Sequence, residues 1–227
     1  MGHDSLRVIV NRTDTLSEII ELNPIRDFTF HIIHHSHNDI GYSHLQTDVE
    51  NIQNNNILAA IRWIKQHVPS LQQPIWHIES LWAVENFLRI ASTVDIAAFK
   101  EAVQNGQIVL SANYANILTG LCQPEELNWS VEYAKQLEQR FGFKILNAMI
   151  TDIPGITYSG LKSYVDNDIP YLSLGPNYVE TQADKGDRVG AVIKEQGDQI
   201  FYGNPIGHQK RSCWYGQREK AILFFMG

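Results

Sequence analysis

Short apolar runs alternate with helix-like segments along the chain, and this pattern predicts the secondary structure. The runs are bounded by polar or turn-forming residues and have the length of strands. Five strands are predicted: "FTFHIIHH" (28–35), "PIWHI" (74–78), "QIVLSA" (107–112), "KILNAMIT" (144–151) and "YLSLG" (171–175). The fourth is apolar almost throughout, which is typical of a strand that is covered on both faces.

Helices are predicted in the segments between these strands. Apolar residues at helical spacing predict a helix over 47–68, which Pro69 ends. Two further helices are predicted at 81–91 and 95–105, the second capped by Asp95 and terminated by Gly106.

The clearest helix is predicted over 123–141. Pro124 suits its first turn, and Gly142 is expected to end it. Its predicted buried stripe consists of Leu127, Val131, Ala134 and Leu137.

Strands separated by helices predict βαβ units and a parallel sheet, closed as a barrel or doubly wound. The region after 187 differs, because "RVGAVI", "QIFYGNP" and "KAILFFMG" resemble hairpin strands with "EQGDQ" as a turn. We expect an N-terminal lead-in over 1–26 and a catalytic (β/α) barrel domain over 27–227. The final apolar run further suggests that the barrel is truncated and that the chain is a fragment of a longer protein.

Composition narrows the classes of function. The 227 residues are 44% hydrophobic and carry a net charge of −7, as is typical of a globular protein, and no lysine or arginine cluster favours nucleic acid. No apolar stretch reaches the length of a membrane span, about 18–20 residues, and no signal peptide is visible. We expect a soluble protein. The sequence does not indicate its compartment, and export of the parent protein to a periplasm stays open.

Candidate chemistry lies where the predicted strands end. Asp39, Glu79 and Asp152 follow the first, second and fourth strands, and the carboxyl ends of parallel strands are where active sites form. In an extended segment, His35, His37 and Asp39 point to one side. Imidazole and carboxylate groups together favour zinc or a similar divalent cation.

Other roles remain open for these residues. Asp152 and Glu79 could each cap the helix that follows. Structural roles are predicted for His34, on the opposite side of the strand, and for His31, inside it. A rim position is predicted for His44.

These motifs resemble the family 38 glycoside hydrolases, the zinc-dependent α-mannosidases. "HSHNDIGY" is similar to the His-x-His-Asn-Asp-x-Gly-Trp motif that opens that family. "IWHIESLWAVENFL", "FKEAVQNGQIVLSANYANILTGLCQPEEL" and "MITDIPGITYSGLKSYVDNDIPYLSLGP" resemble later segments in the same order. The likeness covers about residues 27–178 and implies a seven-stranded (β/α) barrel of the glycoside hydrolase and deacetylase type.

The resemblance implies a retaining glycosidase that acts on terminal α-linked sugars. It makes His37, Asp39 and Asp152 zinc ligands and Asp152 also the catalytic nucleophile. It also prefers His37 over His35 as the ligand. His35, Tyr42, Glu79 and Tyr114 are assigned to the substrate pocket.

Two departures from the family pattern affect the predicted specificity. Tyr42 replaces the motif tryptophan, and "TDIPG" replaces Asp-Pro-Phe-Gly, so the sugar and the linkage stay open. The family's remaining zinc ligand and its general acid lie further downstream, and only His208 offers a local substitute. We therefore expect weak metal binding and negligible turnover from this chain alone, with the remainder of the parent chain packed on the barrel.

Two alternatives remain. One is another metal-dependent hydrolase built on a sugar barrel, either deacetylase-like or amidohydrolase-like. The other is a non-catalytic carbohydrate-binding domain. Under each reading except the amidohydrolase, the expected partner is a carbohydrate.

Overall fold

The computed structural model describes residues 2–10, 14–22, 31–32, 34–66, 75–153, 155–175, 201–203, 212–215 and 222–223. Side chains are described in 34–66, 75–153 and 155–175. The chain divides into two compact units, Met1–Phe30 and His31–Gly227. The division into a lead-in and a catalytic domain stays a prediction.

The first unit contains an antiparallel pair of strands. β1 (Gly2–Val10) pairs with β2 (Asp14–Leu22) along their whole length, with Gly2 opposite Leu22 and Val10 opposite Asp14. The segment predicted as a lead-in therefore has regular structure of its own.

The five predicted strands are present: the first corresponds to two short strands, the next three are shorter than predicted, and the fifth has the predicted bounds. They are β3 (His31–Ile32), β4 (His34–Ser36), β5 (Trp76–Ile78), β6 (Ile108–Leu110), β7 (Asn147–Thr151) and β8 (Tyr171–Gly175). β4, β5 and β6 form a parallel sheet in that order, and β7 pairs in parallel with β8. The prediction of βαβ units with parallel strands is confirmed.

The pairing near the C-terminus differs from the predicted hairpins. β9 (Phe201–Gly203) lies antiparallel to β10 (Ser212–Tyr215), which was not predicted as a strand, and β10 also pairs in parallel with β8. β11 (Ile222–Leu223) pairs in parallel with β3. "RVGAVI" and "EQGDQ" lie outside the described residues, as does His208.

The first three helices match their predicted positions closely. They are α1 (Gln46–Gln66), α2 (Leu81–Ile90) and α3 (Thr93–Gln104). The predicted cap of α3 is wrong, because Ser92 is the N-cap and its hydroxyl accepts a hydrogen bond from the backbone N–H of Asp95. Serine competes well for this position, and Asp95 then lies in the first turn, where its charge suits the helix dipole.

The predicted helix over 123–141 is two helices, α4 (Pro124–Trp129) and α5 (Glu132–Phe141). The backbone carbonyl of Ser130 accepts a 2.8 Å hydrogen bond from the N–H of Tyr114, so it is directed to another segment where the helix is interrupted. The final described helix is α6 (Tyr158–Asp166). The buried stripe Leu127, Val131, Ala134 and Leu137 is confirmed.

The hydrophobic core lies between the helices and the parallel strands. α1 packs against α2 and α3, and α3 packs against β6. The Phe87 and Phe99 rings are fully buried with their centroids 5.5 Å apart. Burying one such side chain stabilises the fold by about 1.5–3 kcal/mol.

The three-stranded sheet and the β7–β8 pair meet at a junction that we call the β6–β7 seam, formed by residues 111–113 and 147–149. The N–H of Ala112 donates to the carbonyl of Asn147 at 2.9 Å, and the Met149 N–H donates to the Ser111 hydroxyl at 2.9 Å. The Asn113 amide donates to the Met149 carbonyl at 2.8 Å. The seam thus joins the segment that follows β6 to the first residues of β7.

The fold is therefore a mixed α/β arrangement with parallel sheets. The described strands do not close into a barrel, and the complete seven-stranded barrel stays a prediction. Among the described helices, none combines the length and the apolar character needed to cross a membrane.

Candidate metal centre

The carboxyl ends of β4, β5 and β7 carry the acidic and histidine residues singled out from the sequence. His37 follows β4, Glu79 follows β5 and Asp152 follows β7. Because β4 and β5 are parallel, the residues that follow them leave the sheet at the same edge. β6 is the third strand of the same sheet, and the β6–β7 seam places β7 next to it.

Three predicted ligands come together at this edge. His37 Nε2 lies 3.2 Å from Asp39 Oδ1 and 3.6 Å from Asp152 Oδ2. One donor atom from each of the three residues lies within 4.8 Å of the others. Their side chains are partly exposed, so the group is open to solvent on one side.

His35 is not part of the group of metal-liking residues found among the described side chains. Its ring is almost fully buried, with Nδ1 lying 3.7 Å from Glu79 Oε2. Burial lowers the pKa of His35, and the neighbouring His37 lowers it further against the opposing effect of Glu79. Strand alternation placed His35 on the same side as His37 and Asp39, but His35 is not among the three residues that come together here, and its assignment to the substrate pocket stays a prediction.

Glu79 lies behind His37 and is almost wholly buried, at 1% exposure. Its carboxylate accepts from the Thr151 hydroxyl and the Asn116 amide, and its two oxygens lie 3.1 and 3.0 Å from His37 Nδ1. Burial alone would raise the pKa of Glu79, but the hydrogen bonds from His37, Thr151 and Asn116 outweigh it and hold this pKa below its ordinary value. Ser80, not Glu79, is the N-cap residue of α2.

The hydrogen bond between His37 and Glu79 also changes the pKa of His37. Hydrogen bonding to Glu79 raises the pKa of His37 to about 9 against the opposing effect of burial, with further support from the charges of Glu79, Asp39 and Asp152. Without a bound cation, His37 is therefore an imidazolium ion near neutral pH.

The loop that carries His37 and Asp39 is anchored on both sides by buried amides. Asn38 donates from its amide to the hydroxyl of Ser80 at the start of α2. From α1, the Gln53 amide donates to the His37 carbonyl at 3.1 Å and to the Ser36 hydroxyl at 3.2 Å. These contacts fix the backbone of the loop, so the positions of the two candidate ligands do not depend on their own pairing.

Asp152 has an unusual backbone conformation. Its φ is 58°, in the left-handed region that asparagine, aspartate and glycine tolerate best. Its N–H donates to the carbonyl of Gly175 at 2.8 Å, which continues the β7–β8 pairing one residue past the strand. This conformation turns the chain out of the sheet as its carboxylate meets His37.

The remaining residues singled out from the sequence lie outside the group formed by His37, Asp39 and Asp152. Tyr42 is 89% exposed, and the Tyr114 hydroxyl donates to Glu85 at 2.5 Å. Their assignment to the substrate pocket stays a prediction. His34 packs edge-on against Trp63, in keeping with a structural role, and His44 is exposed in the segment before α1.

Asn116 and Thr151 were missed by sequence reasoning, although both contact Glu79. Thr151 ends the apolar run of β7 and Asn116 lies in the segment after β6. A polar residue directly preceding an acid at a strand end was the available signal for Thr151. Asn116 has no local signal, because its partner lies 37 positions earlier.

The donor set fits a divalent cation. His37 Nε2 is a buried nitrogen without a hydrogen-bond partner, although it faces two carboxylates. One imidazole nitrogen and two carboxylate oxygens form a ligand set used by zinc, with coordination positions left for water, substrate or a further protein ligand.

Solved structures of glycoside-acting enzymes share the fold. An alpha-mannosidase from Enterococcus faecalis V583 has a TM-score of 0.53 and 14% identity, covering 64% of this chain and 16% of its own. A glycosyl hydrolase family 38 protein from Enterococcus faecalis has a TM-score of 0.54 and 12% identity, covering 76% and 22%. The 4-alpha-glucanotransferase from Thermococcus litoralis has a TM-score of 0.56 and 13% identity, covering 86% and 28%.

These likenesses establish a glycosidase-like fold and no finer kinship, because the identities are low. The chain spans 16–28% of the length of these three proteins. No family model and no curated protein matches the chain.

Proposed function

We propose that the chain provides the metal-binding part of a zinc-dependent, retaining glycosidase site of the α-mannosidase type. The observation that carries this proposal is the convergence of His37, Asp39 and Asp152, whose donor atoms lie within 4.8 Å of one another at the carboxyl ends of the strands. The fold shared with an alpha-mannosidase and a glycosyl hydrolase family 38 protein supports the class of substrate.

Each residue has a distinct role in this proposal. His37 Nε2, Asp39 Oδ1 and Asp152 Oδ2 would hold the zinc ion. A bound zinc ion supplies Lewis-acid chemistry, by which it polarises sugar hydroxyls and stabilises negative charge nearby. Asp152 is the most exposed of the three.

Asp152 is the proposed nucleophile. Its carboxylate is partly open to solvent, with Oδ2 facing His37, so the other oxygen is available to a sugar. A retaining mechanism needs a second carboxyl group, about 5–5.5 Å away, that first donates and then accepts a proton. Glu79 is buried and fully engaged by three donors, so we do not assign that role to it.

Glycosyl transfer is a second candidate reaction. The glucanotransferase covers more of this chain than either Enterococcus faecalis protein and has the highest of the three TM-scores. Transfer and hydrolysis share a glycosyl-enzyme intermediate and differ in whether a sugar or water accepts the glycosyl group. The acceptor is therefore the variable that distinguishes them.

The first test concerns the metal and uses this chain. When titrated with zinc, the wild-type protein is expected to bind about one zinc ion per chain, weakly because only three ligands are present, and Asp39→Asn and Asp152→Asn are expected to lose most of this binding. Glu101→Gln, which changes an exposed acid on α3, is the matched control and should bind as the wild type does. Equal zinc affinity in all four proteins would contradict the proposal.

The second test concerns the reaction and uses the longer protein that we propose contains this chain. Hydrolysis of aryl α-mannosides that is lost in Asp152→Asn supports the mannosidase reading. Disproportionation of α-glucan oligosaccharides supports transfer, and release of acetate from acetylated sugars supports the deacetylase alternative. Sugar binding without turnover would support the alternative of a non-catalytic carbohydrate-binding domain.

A further inference from the structure

Glu79 is a buried carboxylate, and its position requires an explanation. Its side chain has no exposed surface, although it lies one residue past the end of β5, next to the candidate metal centre. A carboxylate without water is costly unless hydrogen bonds or opposite charges satisfy it. Its partners therefore indicate what it does.

The donors to Glu79 come from three different segments. Thr151 at the end of β7 and Asn116 after β6 both donate to Oε1. His37, after β4, places Nδ1 3.0 Å from Oε2. Of these three partners, only His37 belongs to the group that could hold a cation.

The bond to Glu79 determines which nitrogen of His37 faces the carboxylates. With Nδ1 donating to Glu79, Nε2 is directed at Asp39 and Asp152, at 3.2 and 3.6 Å. This Nε2 is buried and has no hydrogen-bond partner. Rotation of the ring would remove the His37 hydrogen bond from Glu79 and would turn Nε2 away from Asp39 and Asp152.

We propose that Glu79 is a positioning residue: it accepts the Nδ1 proton of His37 and so directs the Nε2 lone pair to the cation shared with Asp39 and Asp152. This rests on the proposed metal-binding function of the site. It also replaces the sequence-based assignment of Glu79 to direct contact with substrate. Carboxylates that orient a metal-binding histidine in this way typically change metal affinity about 10–100-fold.

Thr151 and Asn116 complete the arrangement. By donating to Oε1, they keep the Glu79 carboxylate ionised and fix its plane, so that it remains an acceptor for His37. Thr151→Val, which removes the hydroxyl at nearly constant volume, is expected to weaken zinc binding less than a change of Glu79 itself. The loss of zinc affinity is therefore expected to be larger for a substitution of Glu79 than for Thr151→Val.

The first experiment measures zinc affinity by calorimetry in the chain as it stands. Glu79→Gln is expected to weaken zinc binding about 10–100-fold. Glu138→Gln is the matched control, because Glu138 is also a buried acid but accepts hydrogen bonds from the Ile145 N–H and from Lys144, both in the segment before β7. Equal affinities for wild type and Glu79→Gln would overturn the proposal.

The second experiment needs no metal and reports the ring directly. In ¹⁵N-labelled protein, at a pH above the observed titration of His37, long-range ¹H–¹⁵N spectra are expected to show the Nδ1–H tautomer in wild type. The Nε2–H tautomer should gain population in Glu79→Gln. A merely structural role of Glu79 would not change the tautomer, so an Nε2–H ring in wild type would also overturn the proposal.

Failure of this proposal can be distinguished from failure of the proposed function. If Asp39→Asn abolishes zinc binding while Glu79→Gln leaves it intact, only the role of Glu79 is wrong. If wild type shows the Nδ1–H tautomer but takes up no zinc, Glu79 orients His37 for some purpose other than metal binding, and both proposals fail as stated. Should Glu79→Gln not fold, Glu79→Asp keeps the charge, shortens the reach, and is expected to lower zinc affinity in the same direction.

Discussion

The backbone N–H of Asp152 donates to the carbonyl oxygen of Gly175 at 2.8 Å, while Asp152 itself has a φ of 58°. The strand pairing thus holds the candidate nucleophile in a conformation that most side chains avoid. An aspartate at this position combines a carboxylate with tolerance of the left-handed region.

This backbone conformation predicts a difference between two substitutions of Asp152. Asn and Ala both remove the charge, but Ala in the left-handed region costs about 1 kcal/mol more. Urea unfolding should therefore place Asp152→Ala about 1 kcal/mol below Asp152→Asn in free energy of unfolding. Equal stabilities would mean that the φ of this residue is not constrained by the pairing with Gly175.

Cation binding at His37 should release a proton. Hydrogen bonding to Glu79 raises the pKa of His37 to about 9, so at pH 7.5 the Nε2 proton must leave before a cation can bind. Calorimetry in buffers of different ionisation enthalpy is expected to show about one proton released per zinc ion, with affinity rising up to about pH 9.

The control for this measurement is His44→Ala, which removes an exposed histidine close in sequence to the site. It should release the same number of protons as the wild type. Binding heats that are independent of the buffer would contradict the raised pKa of His37.

Acid should destabilise the fold through His77. Burial lowers the pKa of His77 to about 4, and its Nε2 lies 3.0 Å from the Asn147 amide. Between the unfolded value of 6.5 and about 4, the unfolded state binds more protons, so stability falls as the pH decreases. From pH 7 to pH 5 the loss should be roughly 2 kcal/mol.

His77→Gln tests this prediction, because glutamine can bond Asn147 but does not titrate. The variant is expected to lose this part of the acid dependence in urea unfolding at pH 7 and pH 5. His37 acts in the opposite sense: its raised pKa gives stability that is complete below pH 6.5 and lost as the pH rises towards about 9. An unchanged acid dependence in His77→Gln would show that His77 is not the group responsible.

Gly142 should be sensitive to substitution. It ends α5 with a φ of 72°, and a Cβ added there would meet no atom within 4 Å. The cost of Gly142→Ala is therefore backbone strain alone, about 1 kcal/mol in free energy of unfolding.

Gly120→Ala is the matched control for this substitution. Gly120 has no left-handed φ, and its added Cβ would make an ordinary contact with Thr157 at 3.7 Å. Its unfolding free energy should stay close to that of the wild type. A loss of stability in Gly120→Ala equal to that in Gly142→Ala would show that glycine content, not φ, sets the cost.

The candidate ligands were predictable because their signals are local. His37 and Asp39 occupy alternate positions directly after a strand, and Asp152 ends another apolar run. Parallel strands direct such residues to one edge, so their convergence follows from the pattern. The same alternation could not show that the ring of His35 is buried against Glu79.

The supporting contacts were not predictable, because they depend on tertiary neighbours. The interruption at Ser130 accompanies a hydrogen bond to Tyr114 that no helical periodicity contains. The role of Glu79 depends on Thr151, which lies 72 positions later. The sequence pattern predicted Asp95 as the cap of α3, whereas the geometry of the first turn makes Ser92 the N-cap.

The β6–β7 seam has a consequence for the exchange of backbone amides with solvent. An ion held by His37, Asp39 and Asp152 would connect the segment after β4 to the end of β7, and so link the two sheets. These segments are far apart in the sequence: His37 and its neighbour Thr151 are separated by 114 positions. Opening of the seam would then require the ion to dissociate. Deuterium uptake at Ala112 and Met149 should accordingly slow when zinc is added, while uptake within α3 stays unchanged.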